Sequence, residues 1–548
     1  MRGFSKLAAA AALLLSVVSL APAAEWQWSV PVERASLDKT QEHPRAFLWV
    51  PPDCRYVRGV VFAMHNMEEE GILESPVFRK TLGELGFAEV FVVPTFDFNF
   101  RFDLDAGTRF DAMLNALGEQ SGYAELNIAP VVPMGHSAAA SIPSYIAAWK
   151  PERTLAGISV SGQWPLVPWK EAPQMAGKNN DGVPYLVTLG EYEWAADRSK
   201  DGLKTRVDHP AIPLSMLACP ADGHFDSTDE KIDFLCLYLK KAVQYRLPKD
   251  APAGVAPTLA PIDPTKTGWL TDRWIPGQPP RAPAAPVDQY TGDKAEAFWT
   301  FDEETAKAVE AFQARHQGKP TLIGYVQNGS VLPQNSKLHQ QVDIPFRPGD
   351  DGVTFKLTGA FLDTVPEGRP ERWTGKKKGE PVDKPSADPS SISISRITGP
   401  IRQVSADTFE LALNRTSIEN DRRGMEAWLV ATWPGDATFK RAIQQSRLAV
   451  PKANTAGAKQ TITFSPLPDV SAETKEVKLT ATADSGLPVR FFVREGPAEI
   501  DGDILRLTQL PLRAKRPVKV TVVAWQWGRA SDPKVQTASM VEQTFSVK

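Results

Sequence analysis

Between residues 46 and 246, short runs built almost wholly of Val, Leu, Ile, Phe, Met and Ala recur: Arg58 to Met64, Phe87 to Val93, Pro130 to Met134, Leu155 to Val160, Pro184 to Leu189 and Pro213 to Ala218. A strand with one wet face alternates apolar and polar residues. These runs do not alternate, so both faces of each strand must be covered. The stretches between them carry helical periodicity, and the combination leaves few solutions other than an α/β fold, a mostly parallel sheet with helices on both faces. Ala46 to Val50 adds an antiparallel edge strand. Ser75-Pro76 supplies an N-cap and a first-turn proline, Phe78, Leu82 and Leu85 form an apolar stripe, and Gly86 ends that helix. A second helix is predicted from about Thr108 to Leu117, and a third from Ala138 to about Lys150.

One of these strands runs into Gly135-His136-Ser137-Ala138-Ala139. A serine lifted above a sheet on a tight strand-to-helix turn needs minimal side chains two before and two after it, and Gly135 and Ala139 meet that need. Alone, the string fits a serine in any tight turn. A nucleophile also needs a base at the same end of the sheet. The last strand enters Cys219-Pro220-Ala221-Asp222-Gly223-His224-Phe225-Asp226, and Ser227-Thr228-Asp229-Glu230 then reads as a capping box for a long helix. His224 therefore sits on the loop after that strand. An acid that fixes the histidine tautomer should follow the preceding strand, and Gly190-Glu191-Tyr192-Glu193-Trp194 offers two carboxylates there. Only one of Glu193 and Glu191 is expected to reach His224.

Serine, acid and histidine in this chain order match the α/β-hydrolases. Residues 46 to 246 resemble that superfamily, and within it secreted esterases of the dienelactone-hydrolase or polyester-depolymerase type. The resemblance favours Glu193, three residues after a strand-closing glycine, as the acid. It implies an oxyanion hole made by the backbone amides of Ala138 and, from the loop His65-Asn66-Met67-Glu68-Glu69-Glu70-Gly71, of Met67. Asn66 stands where the family has glycine. The three glutamates are expected on a solvated loop pointing away from the developing anion.

Aromatic residues collect where a substrate would lie. Phe96 follows one strand, Trp164 and Trp169 another, and Trp194 the acid turn; each reads equally as a stacking platform or as packing. Cys54, Cys219 and Cys236 lack metal-ligand spacing. Cys219 with Cys236 is the pair an oxidising compartment would form, three buried thiols the alternative. The formal charge of −3 offers no basic face for nucleic acid. Residues 1–24 have the basic, apolar and small-residue order of a secretory signal, and no other run is long enough to cross a bilayer.

Nine prolines between Pro252 and Pro286 mark 251–290 as a surface linker. A helix with Asp302 as N-cap then opens a β-sandwich accessory domain, 291–450, whose strand-like runs include Thr354 to Leu357, Ser391 to Ile397, Phe409 to Leu413 and Ala427 to Thr432. A second linker, 451–459, precedes residues 460–548, which resemble the immunoglobulin-like repeats of bacterial surface and secreted proteins. The whole reads as a signal peptide followed by a hydrolase domain, 25–250, and its accessory domains. The expected activity is that of a secreted serine esterase working without metal or organic cofactor on carbohydrate-linked esters, with polysaccharide as the expected partner. A catalytically impaired polysaccharide-binding protein, a serine peptidase and a polyester depolymerase are the rival readings, and the sequence does not define an oligomeric state.

Overall fold

The computed structural model describes residues 25–34, 42–167, 171–335, 341–368 and 370–548; the expected signal, 1–24, and Trp169 lie outside them. Strands β1 (Trp28–Pro31), β2 (Arg45–Trp49), β3 (Gly59–Met64), β4 (Phe87–Val93), β5 (Val131–His136), β6 (Gly157–Val160), β7 (Tyr185–Gly190) and β8 (Leu214–Cys219) form one sheet in the order β1-β2-β4-β3-β5-β6-β7-β8. The pairs β1–β2 and β2–β4 are antiparallel; every pair from β4 to β8 is parallel.

Helices α1 (Glu69–Leu73), α2 (Pro76–Leu85), α3 (Ala106–Ser121), α4 (Ile142–Trp149), α5 (Ala195–Asp208) and α6 (Asp229–Arg246) cover the sheet. In β3, Val61 and Ala63 belong to one core with Leu82 of α2 and Leu239 of α6, while Val60, Phe62 and Met64 belong to another with Phe110 of α3 and Ile146 of α4. Helices on both faces are the physical reason these strands carry no polar alternation. Ser75 caps α2 by accepting the amide of Phe78, and Gly86 closes it at φ 69°. At α6 the capping oxygen comes from Thr228, which accepts the Lys231 amide, one residue later than a box on Ser227 would place it.

The proline-rich stretch departs from the linker expected of it. Leu259, Ile262, Leu270, Ala282, Val287 and Tyr290 are buried in the same core as α6. Trp269–Asp272 pairs with Ala285–Pro286 and Ala297–Thr300 as a small antiparallel sheet. Helix α7 (Glu303–Gln313), capped by Asp302, adds Val309 and Phe312 to that core and so belongs to the hydrolase-like body, not to the following domain. A segment laid into a groove made by other elements needs no periodicity of its own, and prolines are tolerated where no ladder amide is required.

The first accessory domain stacks Ser393–Thr398, Glu426–Trp433, Ala442–Ala449 and Gln341–Pro345 of one sheet over Thr354–Lys356, Thr408–Leu411 and Ile401–Gln403 of another. Gln341–Pro345 runs parallel to Ala442–Ala449, where an antiparallel sandwich was expected. The segment 451–459 is almost wholly exposed. Beyond it, three small antiparallel sheets enclose a core with Leu505, Val520, Val522 and Phe545. Among the described residues, no helix is long and apolar enough to cross a membrane.

Candidate active site

β5 ends in a sharp elbow. Ser137 adopts φ 54°, a left-handed conformation that non-glycine residues hold only when their surroundings enforce it. The crowding is visible at Gly135, where a Cβ atom would lie 2.1 Å from the carbonyl oxygen of Ala139. Ala139 is fully buried, while Ser137 is half-buried and Ala138 exposed. The chain leaves the elbow as a 3-10 turn, Ser137–Ala139, and becomes α-helical only at Ile142, not at Ala138 as the sequence suggested.

Three side chains meet above this elbow. His224 Nε2 lies 2.8 Å from Ser137 Oγ, and His224 Nδ1 lies 2.7 Å from Glu193 Oε2. With Nδ1–H donating to the carboxylate, Nε2 is left to accept the serine hydroxyl. The other oxygen of Glu193 accepts the amide of Gly190 at 2.8 Å. Burial by itself would push this carboxyl up; His224, Arg198 at 3.3 Å and the Gly190 amide outweigh it and hold it below its ordinary range. Glu191 points elsewhere. Its Oε2 accepts the amide of Ala221 at 2.8 Å and its Oε1 lies 2.6 Å from Lys440 Nζ.

The loop after β3 differs most from expectation. Glu68, Glu69 and Glu70 are all buried rather than solvated. Glu69 accepts the amides of Asn66 at 3.0 Å, Met67 at 2.7 Å and His136 at 2.7 Å. The Met67 amide, expected to face an oxyanion, is therefore already given to a carboxylate. Burial pushes Glu69 up to about 7 in spite of these bonds, and Glu68 up to about 8. Glu70 pairs with Arg396 at 2.7 Å. A glutamate triplet looks solvated in sequence because its partners, backbone amides and a distant arginine, leave no local mark. Asn66 donates from Nδ2 to the carbonyl of His136 at 2.8 Å, tying this loop to the elbow. The His136 ring, kept neutral by burial, donates from Nε2 to the carbonyl of His224 at 2.9 Å.

Two of the four aromatic candidates are packing residues. Trp164 is 4% exposed, stacks on Phe298 at 5.7 Å and donates its indole N–H to the carbonyl of Arg198. Phe96 is 1% exposed beside Phe100. Trp194 remains half-exposed beside Glu193, with the Arg372 guanidinium 5.4 Å from its ring. Phe98, which was not singled out, is half-exposed under Arg422 at 4.6 Å. Cys54, Cys219 and Cys236 are separate buried thiols; the Cys219–Cys236 bond is not formed.

The sequence reading also missed the neighbours contributed by the accessory domain. Trp428 and Ile397 pack against Met67 and Phe225, and Gln445 and Arg441 bond to the loop that carries His224. No local signal pairs residues so far apart in the chain.

A parallel-rich eight-stranded sheet with a serine elbow after β5, a carboxylate after β7 and a histidine after β8 is an α/β-hydrolase fold. Among solved structures, the chain is similar to an S-formylglutathione hydrolase from Agrobacterium tumefaciens at 15% identity, over 39% of this chain and 94% of that one, with a TM-score of 0.30. It is similar to esterase PE8 at 17% identity, over 36% and 97% of the two chains, with a TM-score of 0.28. A dienelactone hydrolase from Anabaena variabilis matches at 14% identity, over 40% and 96%, with a TM-score of 0.27. No family model matches the chain, and no curated protein matches it.

Proposed function

We propose that this protein is a serine hydrolase that cleaves carboxylic esters through an acyl-enzyme on Ser137. The observation that carries the reading is the unbroken relay from Glu193 through His224 to Ser137, at 2.7 and 2.8 Å, on a left-handed elbow. Ser137 Oγ attacks the ester carbonyl while His224 Nε2 takes its proton; the imidazolium so formed is stabilised by Glu193 and returns the proton to the departing alcohol. Water then repeats the sequence on the acyl-enzyme and frees the acid. The Ala138 amide, at the start of a turn where amides lack intrahelical partners, receives the developing oxyanion. For Met67 to serve as second donor, Glu69 would have to release its amide.

Carbohydrate-linked esters are the substrate class we favour. Half-exposed Trp194 and Phe98 lie on the loops after β7 and β4, and such faces suit sugar rings or aromatic acyl groups. Residues 1–24 would export the chain, and 460–548 would act as an immunoglobulin-like spacer. The engaged Met67 amide favours a second reading, a binding protein whose esterase chemistry is impaired. Turnover of short-chain aryl esters and acetylated or methylated polysaccharides by the purified protein decides between them: hydrolysis that disappears in Ser137→Ala supports the enzyme. Its absence across the panel, with polysaccharide binding retained, supports the binding protein.

A further inference from the structure

Resting on the serine-hydrolase reading, we propose that the accessory domain is part of the active centre: Lys440, Arg441 and Gln445 are positioning residues that fix the loops carrying Glu193 and His224. All three come from one short stretch, the strand Ala442–Ala449 and the two residues before it.

The His224 loop bridges β8 and α6 and has no secondary structure of its own, so its shape must be set by what holds it. Gln445 Oε1 accepts the amide of Phe225, the residue directly after the base, at 2.6 Å. The approach is so close that a Cβ on Gly223 would lie 2.5 Å from the same oxygen, which gives that glycine a reason to be glycine. Arg441 bonds Asp222 on one side of His224 and Asp226 on the other, the latter at 2.7 Å. Arginine and both aspartates are buried, so the guanidinium draws together two carboxylates that would otherwise repel across the loop. Lys440 Nζ reaches Glu191 Oε1 at 2.6 Å, and the other oxygen of Glu191 holds the Ala221 amide. That bracket ties the turn bearing Glu193 to the loop bearing His224. From the neighbouring strand, Trp428 packs on the Phe225 ring at 4.7 Å.

Ordinary docking between domains joins surface side chains. Here the accessory domain bonds the backbone and the buried carboxylates beside the base itself. From the hydrolase side, His136 donates to the His224 carbonyl, the buried Lys231 ammonium bonds the Asp226 carbonyl and lies 3.5 Å from Asp222, and the Tyr192 amide donates to the Asp222 carbonyl. None of these holds the Phe225 amide, which is left to Gln445. Removing the Gln445 oxygen leaves the Phe225 amide buried without this acceptor and frees the loop to move, and an error of about 1 Å in a catalytic group costs on the order of a hundredfold in rate.

The test uses the full chain carrying Gln445→Leu, Gln445→Glu, Arg441→Met, Arg441→Lys or Lys440→Met. The rate of Ser137 acylation by a fluorophosphonate and the kcat and KM for one aryl ester are measured per titrated serine, with thermal melting alongside. Gln445→Leu and Arg441→Met are expected to slow acylation and kcat about ten- to a hundredfold with KM within about twofold, and Gln445→Glu and Arg441→Lys to recover most of the loss. Lys440→Met, the least buried change, should lose several-fold and serves if the others do not melt cooperatively. Wild-type rates per titrated serine in all variants, or losses confined to KM, overturn the inference. A wild-type protein that neither labels at Ser137 nor hydrolyses any ester overturns instead the reading on which it rests.

Discussion

Glu191 and Glu193 stand two residues apart and do different work. Glu193 faces the Nδ1 of His224, whereas Glu191 holds the backbone of the neighbouring loop. Replacing Glu193 by Gln presents an amide that can select the wrong histidine tautomer, and kcat should fall by about 10³- to 10⁴-fold. Glu191→Gln keeps an acceptor for the Ala221 amide and should cost less than about tenfold. Rate constants for both variants on one aryl ester check this; equal losses would remove the distinction. Ser137, His224 and both glutamates were legible in the sequence because each follows a strand at the same end of the sheet. The choice between the acids was not, since it depends on where side chains point once the turn closes. Phe96 and Trp164 mislead for a related reason: an aromatic just after a strand bears no mark of whether it turns into the core or over the substrate.

At the scale of elements, the elbow is a steric device. In Gly135→Ala the new methyl would meet the Ala139 carbonyl at 2.1 Å, so the turn must open. The expected result is a loss of about 1–3 kcal/mol in unfolding free energy, with Ser137 labelled far more slowly by a fluorophosphonate. β4 carries a different tension. Glu89 is fully buried in it, and burial pushes its carboxyl up to about 8 despite Arg79 at 3.1 Å. Between the ordinary glutamate value near 4.5 and about 8 the folded state therefore holds a proton that the unfolded chain has released, and stability falls as pH rises through that window. Glu68 and Glu69, raised to about 8 and 7, add the same sign. Thermal melting between pH 5 and 8 should show the decline, and Glu89→Gln should flatten it. The strands themselves were readable because burial on both faces leaves an apolar run. α5 was not, since its mostly polar surface gives little stripe, and the small sheet within 269–300 was hidden among prolines.

At the scale of the whole molecule, the hydrolase-like body extends beyond the boundary at residue 250. Ending the chain there would uncover the α6 face that packs with Leu259, Trp299, Val309 and Phe312. A fragment of residues 25–250 is expected to aggregate or to melt without cooperativity, and one of residues 25–316 to remain soluble; calorimetry and size-exclusion chromatography compare them. Proteolytic nicking in the exposed segment 451–459 should leave two pieces that elute together, because Val518 of the last domain lies in the core of the first and Arg513 bonds Tyr123 and Glu125 there.

One further contact of that last domain governs timing. β1, at the free margin of the large sheet, follows Trp26, whose carbonyl accepts the amide of Gly496. At synthesis rates of roughly 5–20 residues per second, Gly496 is made about 20 to 90 s after Trp26. Throughout that interval the margin of the sheet lacks its clasp and can template pairing with another nascent chain. Assembly of this molecule is therefore a race between closure by its own last domain and capture by a neighbour, and faster elongation with fewer nascent chains nearby favours closure.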